Sequence, residues 1–239
     1  MTSATTTTLG CVASPGQARL ETTTTPPCGS VASPGQARLV ETPHGRCAVI
    51  ELAEVELDAA CAALPAEERD AAERLSGVRR RELIAGRTAI HALIDRAHPV
   101  LANERGAPVV PAGMTGSISH KLARAAALVA LAEHGHVGVD LERAAPTKLD
   151  IARRILTVNE PRVAGAELLR VFAIKEAIYK AIDPIVRRYV GFQEVELAIG
   201  QGGEVRVIVV DVGRLPVAIE AWWTELDGHW LATARARPR

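Results

Sequence analysis

Apolar and polar positions change their period along this chain, and the changes divide it into elements. Through VGVDLE (137–142), Val137, Val139 and Leu141 alternate with Gly138, Asp140 and Glu142. Period two predicts a strand that sends both carboxylates, and the Gly138 gap, to one face. Through 166–183 the spacing turns helical, with Leu168, Phe172, Tyr179 and Ile182 on one stripe. That helix sets Glu176 and Lys180 four apart, neighbours on one turn, and puts Lys175 inside the apolar stripe, where its stem has to cross hydrophobic surface.

Upstream, CAVIELAEV (47–55) reads as a strand, and Leu64-Pro65 before AEERD opens a helix with acids in its first turn, where the macrodipole favours them. This helix is expected over 66–97 with a break near Ser76-Gly77, and a Pro- and Gly-rich loop follows from Pro99 to Gly116. Gly135 is placed at the centre of a hairpin turn. Residues 143–165 read as loop and short helix, and FQEVELAI, EVRVIVV, AIEAWWTEL and HWLATARA, from 192 onward, read as strands. Helix then strands, twice over, predicts an α+β fold of two similar lobes, 43–135 and 136–239.

Residues 1–42 are of another kind. VASPGQARL occurs at 12–20 and again at 31–39, among threonine runs. Two copies are too few to stack into a solenoid, so a disordered low-complexity extension is expected. The 239 residues carry 48% hydrophobic and 23% charged side chains, as a globular chain does, and a net charge of +0. No global field recruits nucleic acid or an anionic membrane, so a phosphate ligand needs a local cluster of Arg and Lys. Cys11, Cys28, Cys47 and Cys61 form no CxxC pair, which argues against a zinc site or a disulfide framework and for a cytoplasmic setting. No stretch approaches the roughly 20 apolar residues of a membrane span.

Asp140, Glu142 and Glu176 are hard oxygen donors suited to magnesium, which keeps waters and shares its ligands with a substrate phosphate. The alternative for the strand pair is an exposed edge guarded by acids. Lys175 and Lys180 stand beside them as phosphate partners. On the 79–93 stretch Arg80 and Arg87 share a stripe with His91, and Arg79 is adjacent; guanidinium groups bind phosphate bidentately, but a solvated basic face would look the same. Ser119 and His120 end GSISH (116–120), where a histidine can equally be a structural hydrogen-bonding group.

Taken in order, GRTA (86–89), GSISH, VGVDLE, FAIKEAIYKAI (172–182) and GFQEVEL (191–197) resemble the 4'-phosphopantetheinyl transferases, in particular the long two-lobed type that includes the surfactin and enterobactin activating enzymes. The resemblance runs from about residue 47 to about 235. It departs at Ala173, where the family usually has a small hydroxyl or thiol residue, and at Val110, where it often has an aromatic one. It implies a pseudo-dimer of two α+β lobes in one monomeric chain, with the active site in the cleft between them. It also implies coenzyme A as co-substrate, an apo acyl or peptidyl carrier protein as partner, and magnesium, or manganese in its place, on Asp140, Glu142 and Glu176. Glu176 would act as base, Lys180 would neutralise the pyrophosphate with Lys175 in support, and Arg79 or Arg80, Arg87, Ser119 and His120 would hold the nucleotide. Two other readings use the same residues: a metal-dependent hydrolase of coenzyme A or another nucleotide pyrophosphate, and a non-catalytic carrier-binding module.

Overall fold

The structure is a computed structural model that describes residues 36–122, 124–146, 151–210 and 215–239. Most of the expected extension, with its threonine runs and the first nonapeptide copy, lies outside the described residues. Arg38–Thr42, assigned from the sequence to that extension, is instead a strand, β1, antiparallel to β2 (Gly45–Glu51). Its RLVET alternation pairs in register with Gly45–Val49, and the Arg38 guanidinium holds the Asp227 carboxylate at 2.9 Å.

The first lobe continues through α1 (Leu57–Ala62), α2 (Ala66–Glu73), α3 (Gly77–His91), β3 (Met114–Lys121) and β4 (Arg124–Leu131), in an antiparallel sheet of order β1-β2-β4-β3. The break near Ser76-Gly77 is present, but α3 stops at His91 rather than near 97. Beyond it the Asp95 carboxylate accepts the N–H of Ala97 at 2.9 Å, an Asx turn that competes with helix. The second lobe holds β5 (His136–Arg143), α4 (Ala152–Ile155), α5 (Gly165–Val186), β6 (Val195–Ile199), β7 (Glu204–Val209), β8 (Val217–Leu226) and β9 (His229–Pro238), with sheet order β5-β9-β8-β7-β6. The fold is α+β, two lobes each built from an antiparallel sheet under one long helix, α3 or α5. No helix of the described residues is long and apolar enough to cross a membrane.

Gly135 does not close a hairpin. Both edges of β4 are already paired, to β2 and to β3, so β5 has no ladder to join there and crosses to pair with β9. Most of the first sheet and the β5–β9 part of the second are buried on both faces, whereas β7 keeps an exposed face. Ile84 and Ile90 of α3 pack with Ile50, Ala125 and Ala127, while Ile174, Ala177 and Ile178 of α5 pack with Ala232, Ala234 and Ala236. Between the sheets, Cys47, Val49, Ala126 and Leu128 meet Val137, Val139, Leu141 and Leu231. That shared core joins the lobes, and burial on both faces is the reason β4, RAAALVAL, reads as a nearly continuous hydrophobic strand.

Polar contacts fix the register of the joint. β5 is an edge of its sheet, and its outward N–H groups at Val137, Val139 and Leu141 donate to the hydroxyls of Thr115, Ser117 and Ser119 on β3, at 3.4, 3.1 and 3.3 Å. The β1–β2 turn inserts His44, 2% exposed, whose Nδ1 is hydrogen-bonded to Thr233 Oγ1 of β9 at 2.8 Å. Arg105 and Asp183 form a bidentate ion pair from the 99–113 loop to α5.

Candidate active site

Three hollows have Ile118 of β3 as a common wall. One, of about 310 Å³, is lined by Ser119, His120, Asp140, Glu142, Phe172, Glu176 and Lys180. A second, of about 250 Å³, is lined by Arg79, Glu82, Gly86, Arg87, Ala102, Pro108 and His120 among others. The third, of about 320 Å³, lies between the 105–108 loop, β3 and the Tyr179–Pro184 end of α5. A larger hollow, of about 520 Å³, lies between α5, β6 and β7 and contains none of the predicted site residues.

The acidic hollow exists because strand and helix touch. At Gly138 an added Cβ would sit 1.9 Å from the Ala177 carbonyl oxygen, so the gap that the glycine leaves on its face is filled by α5 backbone rather than left open. This contact lays Glu176, one residue before Ala177, beside Asp140 and Glu142. Both strand acids are buried, at 6% and 7% exposure, and are not gatekeepers on an open edge. Asp140 Oδ1 accepts from Ser119 Oγ at 2.7 Å and from Lys180 Nζ at 2.8 Å, whereas its buried Oδ2 has no hydrogen-bond partner among the described residues. Lys121 Nζ donates to Glu142 Oε2.

Burial and the neighbouring Asp140 charge raise the pKa of both glutamates. Glu176 is pushed up first by burial and then by the charge of Asp140, with Lys180 opposing and Glu142 adding. Glu142 is raised by burial, against its bond from Lys121 and with the push of Asp140. Like charges gathered in a partly dry hollow favour a bound cation. Among the described residues no three Asp, Glu, His or Cys side chains already stand close enough to enclose a metal by themselves.

The cationic hollow is built by α3 against β3. At Gly86 a Cβ would lie 2.9 Å from the Ile118 side chain and 3.7 Å from the His120 ring, so the glycine lets His120 rest on the helix. Arg79 and Arg87 line the hollow with His120. Glu82 stands among them, 3.0 Å from Arg79 Nη1 and 3.7 Å from His120 Nδ1. Partial burial lowers the His120 pKa, with Glu82 opposing and Lys180 and Arg79 adding to the fall.

Two predicted residues fall elsewhere. Arg80 leaves its stripe partner and pairs with Asp58 of α1 at 3.2 Å, off the hollow, because one residue of helix rotation separates it from Arg79. Lys175 is fully buried, 0% exposed, and all three of its N–H groups are used: on Ile155 O at 2.9 Å, Glu160 Oε2 at 2.8 Å and Phe192 O at 3.1 Å. Its stem crosses the apolar stripe as expected but emerges inside the second lobe rather than in the hollow, so it contacts neither acid site nor phosphate site. Lys121 and Glu82 were not foreseen; each lies next to a motif without belonging to its pattern. The hydroxyl ladder was legible in TGSIS (115–119), where Thr115, Ser117 and Ser119 alternate with Gly116 and Ile118.

Two family models match most of this chain. The family model described as 4'-phosphopantetheinyl transferase N-terminal domain matches residues 66–130, and that of the 4'-phosphopantetheinyl transferase superfamily matches residues 136–234. 4'-Phosphopantetheinyl transferase Npt of Nocardia iowensis is 34% identical over 146 residues, covering 56% of this chain and 64% of that protein. Enterobactin synthase component D of Salmonella typhi is 34% identical over 118 residues, covering 44% and 49%. The chain thus spans about half to two thirds of the length of these relatives. Among solved structures, the Chronobacterium ammoniagenes ACPS-CoA complex aligns with a TM-score of 0.35 and 20% identity, over 43% of this chain and 96% of that chain.

Proposed function

We propose that this chain, which belongs to the 4'-phosphopantetheinyl transferase superfamily, transfers the 4'-phosphopantetheine arm of coenzyme A to a serine of an apo acyl or peptidyl carrier protein, releasing adenosine 3',5'-bisphosphate. The observation that carries the reading is a shared wall: Ile118 and His120 line both the cationic hollow and the acidic one. Coenzyme A bears phosphate at two places, on the ribose and in the pyrophosphate, and two adjoining sites of this kind suit it.

Arg79, Arg87 and His120 would bind the ribose phosphate, the guanidinium groups through paired N–H donors. Lys180, between the acidic hollow and the third one, would turn from Asp140 to the pyrophosphate. Glu176 would accept the serine proton as the serine oxygen attacks the phosphorus nearer the pantetheine arm. The bond from that phosphorus to the bridging oxygen then breaks, and its electron pair leaves with the adenosine bisphosphate. A Glu176 pKa raised by burial serves a proton acceptor working near neutral pH. Asp140, Glu142 and Glu176 would hold magnesium, or manganese in its place, and the buried, unpartnered Asp140 Oδ2 fits that use. When bound, the cation supplies charge neutralisation at the pyrophosphate. Both lobes come from one chain, so the reading is of a monomer, acting in the cytoplasm, where coenzyme A and carriers are available, without nucleic acid or membrane.

Incubation with coenzyme A and magnesium, with and without a purified apo carrier, tests the reading by mass spectrometry of the carrier and chromatography of the nucleotide. The expected result is a carrier heavier by one arm and bisphosphate release only when carrier is present. Equal nucleotide release without carrier would make the protein a hydrolase and defeat the transfer reading.

A further inference from the structure

Glu68 lies on the inner face of α2 with buried Leu64 and Ala72, and is itself 0% exposed. A buried carboxylate is costly unless it is bonded. Its Oε1 accepts the Nε2–H of His91 on α3 at 2.8 Å and the backbone N–H of Val100 at 2.5 Å, while Oε2 is buried without a hydrogen-bond partner. Four residues before His91, and so one turn away on the same face of α3, stands Arg87. Burial lowers the Arg87 pKa, and the charge of Glu68 opposes that shift. Among the described residues Arg87 has no hydrogen bond or ion pair. Besides β3 with Ile118 and His120, the cationic hollow has two further walls, α3 with Arg79 and Arg87, and the loop with Ala102, Gly106 and Pro108. Both meet behind the hollow at one carboxylate, through His91 and through Val100.

We propose that Glu68 is a positioning residue of the nucleotide site: it holds the α3 wall and the loop wall in register and steadies the otherwise unpaired Arg87 guanidinium, so that the hollow selects ligands carrying a ribose phosphate. This rests on the nucleotide reading of that hollow. A glutamine at 68 keeps an acceptor for Val100 but no charge toward Arg87.

The test compares coenzyme A with dephospho-coenzyme A as substrates of the native protein, Glu68→Gln and Arg87→Ala. In Glu68→Gln the ratio of kcat/KM for the two substrates should fall by about threefold to tenfold, through KM for coenzyme A, with kcat within about twofold. Arg87→Ala should lose nearly all of the ratio. If Arg87→Ala collapses the ratio and Glu68→Gln leaves it unchanged or raises it, Glu68 is only a buried structural acid and the inference fails alone. If neither variant moves the ratio, the nucleotide reading of the hollow fails with it. Should Glu68→Gln not fold, Glu68→Leu with His91→Leu replaces the buried pair by apolar groups, a change that folds often tolerate. A folded double variant with the native ratio would equally overturn the proposal.

Discussion

Ser119 Oγ on β3 donates to Asp140 Oδ1 on β5 at 2.7 Å and accepts the N–H of Leu141 at 3.3 Å. One hydroxyl of the first lobe thus holds both the side chain and the backbone of the acidic strand of the second. It is the last rung of the Thr115, Ser117, Ser119 ladder, so the geometry of the acids depends on how the lobes are joined, and neither lobe alone would build it.

Ser119→Ala should therefore weaken fold and site together. The Leu141 N–H is left buried without an acceptor, at a cost of about 1–3 kcal/mol in urea unfolding. Among the described residues Asp140 then keeps Lys180 alone as a donor, and turnover should fall several-fold while KM for coenzyme A changes little. Native stability and native turnover in the alanine variant would mean that the ladder does not govern the site.

The acids, the α5 helix and the two-lobe division are legible because period-two and helical spacings are strong where an element is buried on a defined face, as at Val137–Glu142 and Leu168–Ile182. Contacts that depend on which elements pair are not. β4 reads as though it turned back at Gly135, and only its occupied edges send β5 to the other sheet. Lys175 reads as a phosphate ligand because it flanks Glu176, but 100° of helix rotation between successive residues turns it into the second lobe. The buried roles of His44 and Glu68 leave no period at all, since His44 rests on one long-range bond and Glu68 on two.

His44 predicts an acid-sensitive joint between the lobes. Burial, aided by Arg235 and opposed by Glu220 and Thr233, depresses its pKa from 6.5 to about 4. The native state keeps the imidazole neutral while the unfolded chain protonates it at its ordinary value. The associated stability is fully present above pH 6.5 and is lost as pH falls toward 4, by up to about 3 kcal/mol. His44→Gln should be less stable at pH 7.5 but should flatten this slope in urea titrations across the window. A slope unchanged by the substitution would place the titrating group elsewhere.

Lys175 should behave as a structural cation. Its Nζ ties Ile155, Glu160 and Phe192 together, and Glu160 in turn accepts the N–H groups of Thr157 at 2.7 Å and Leu197 at 2.8 Å. Lys175→Met strands the buried Glu160 charge and should cost about 3–5 kcal/mol, whereas adding Glu160→Gln should recover part of that loss. A folded Lys175→Met with native melting temperature and a raised KM for coenzyme A would return this lysine to the ligand.

Gly138→Ala should uncouple strand from helix. The new methyl would meet the Ala177 carbonyl oxygen at 1.9 Å, and backbone on backbone cannot give way without shifting α5. Activity should fall more than stability, because the displaced turn carries Glu176. Native turnover in a folded variant would show that the acids tolerate the shift.

The acids themselves give the sharpest test of the proposed metal site. Asp140→Asn, Glu142→Gln and Glu176→Gln each remove one charge from the shared hollow without emptying it, so the fold should persist. Since burial and the Asp140 charge raise the pKa of Glu142 and Glu176 there, Glu142→Gln and Glu176→Gln each relieve an unfavourable buried charge, and these two variants should, metal-free, melt at or above the native temperature. The rise in melting temperature on adding magnesium should be large in the native protein and small in every variant, because binding to the native state alone stabilises it by mass action. Turnover should drop in all three. Excess magnesium or manganese should partly restore Asp140→Asn and Glu142→Gln, whose defect is weaker metal binding, and should restore Glu176→Gln least, since that variant also loses the proposed base. A native magnesium-induced shift in all three variants would remove the cation from these carboxylates, and near-native turnover by Glu176→Gln would remove the base.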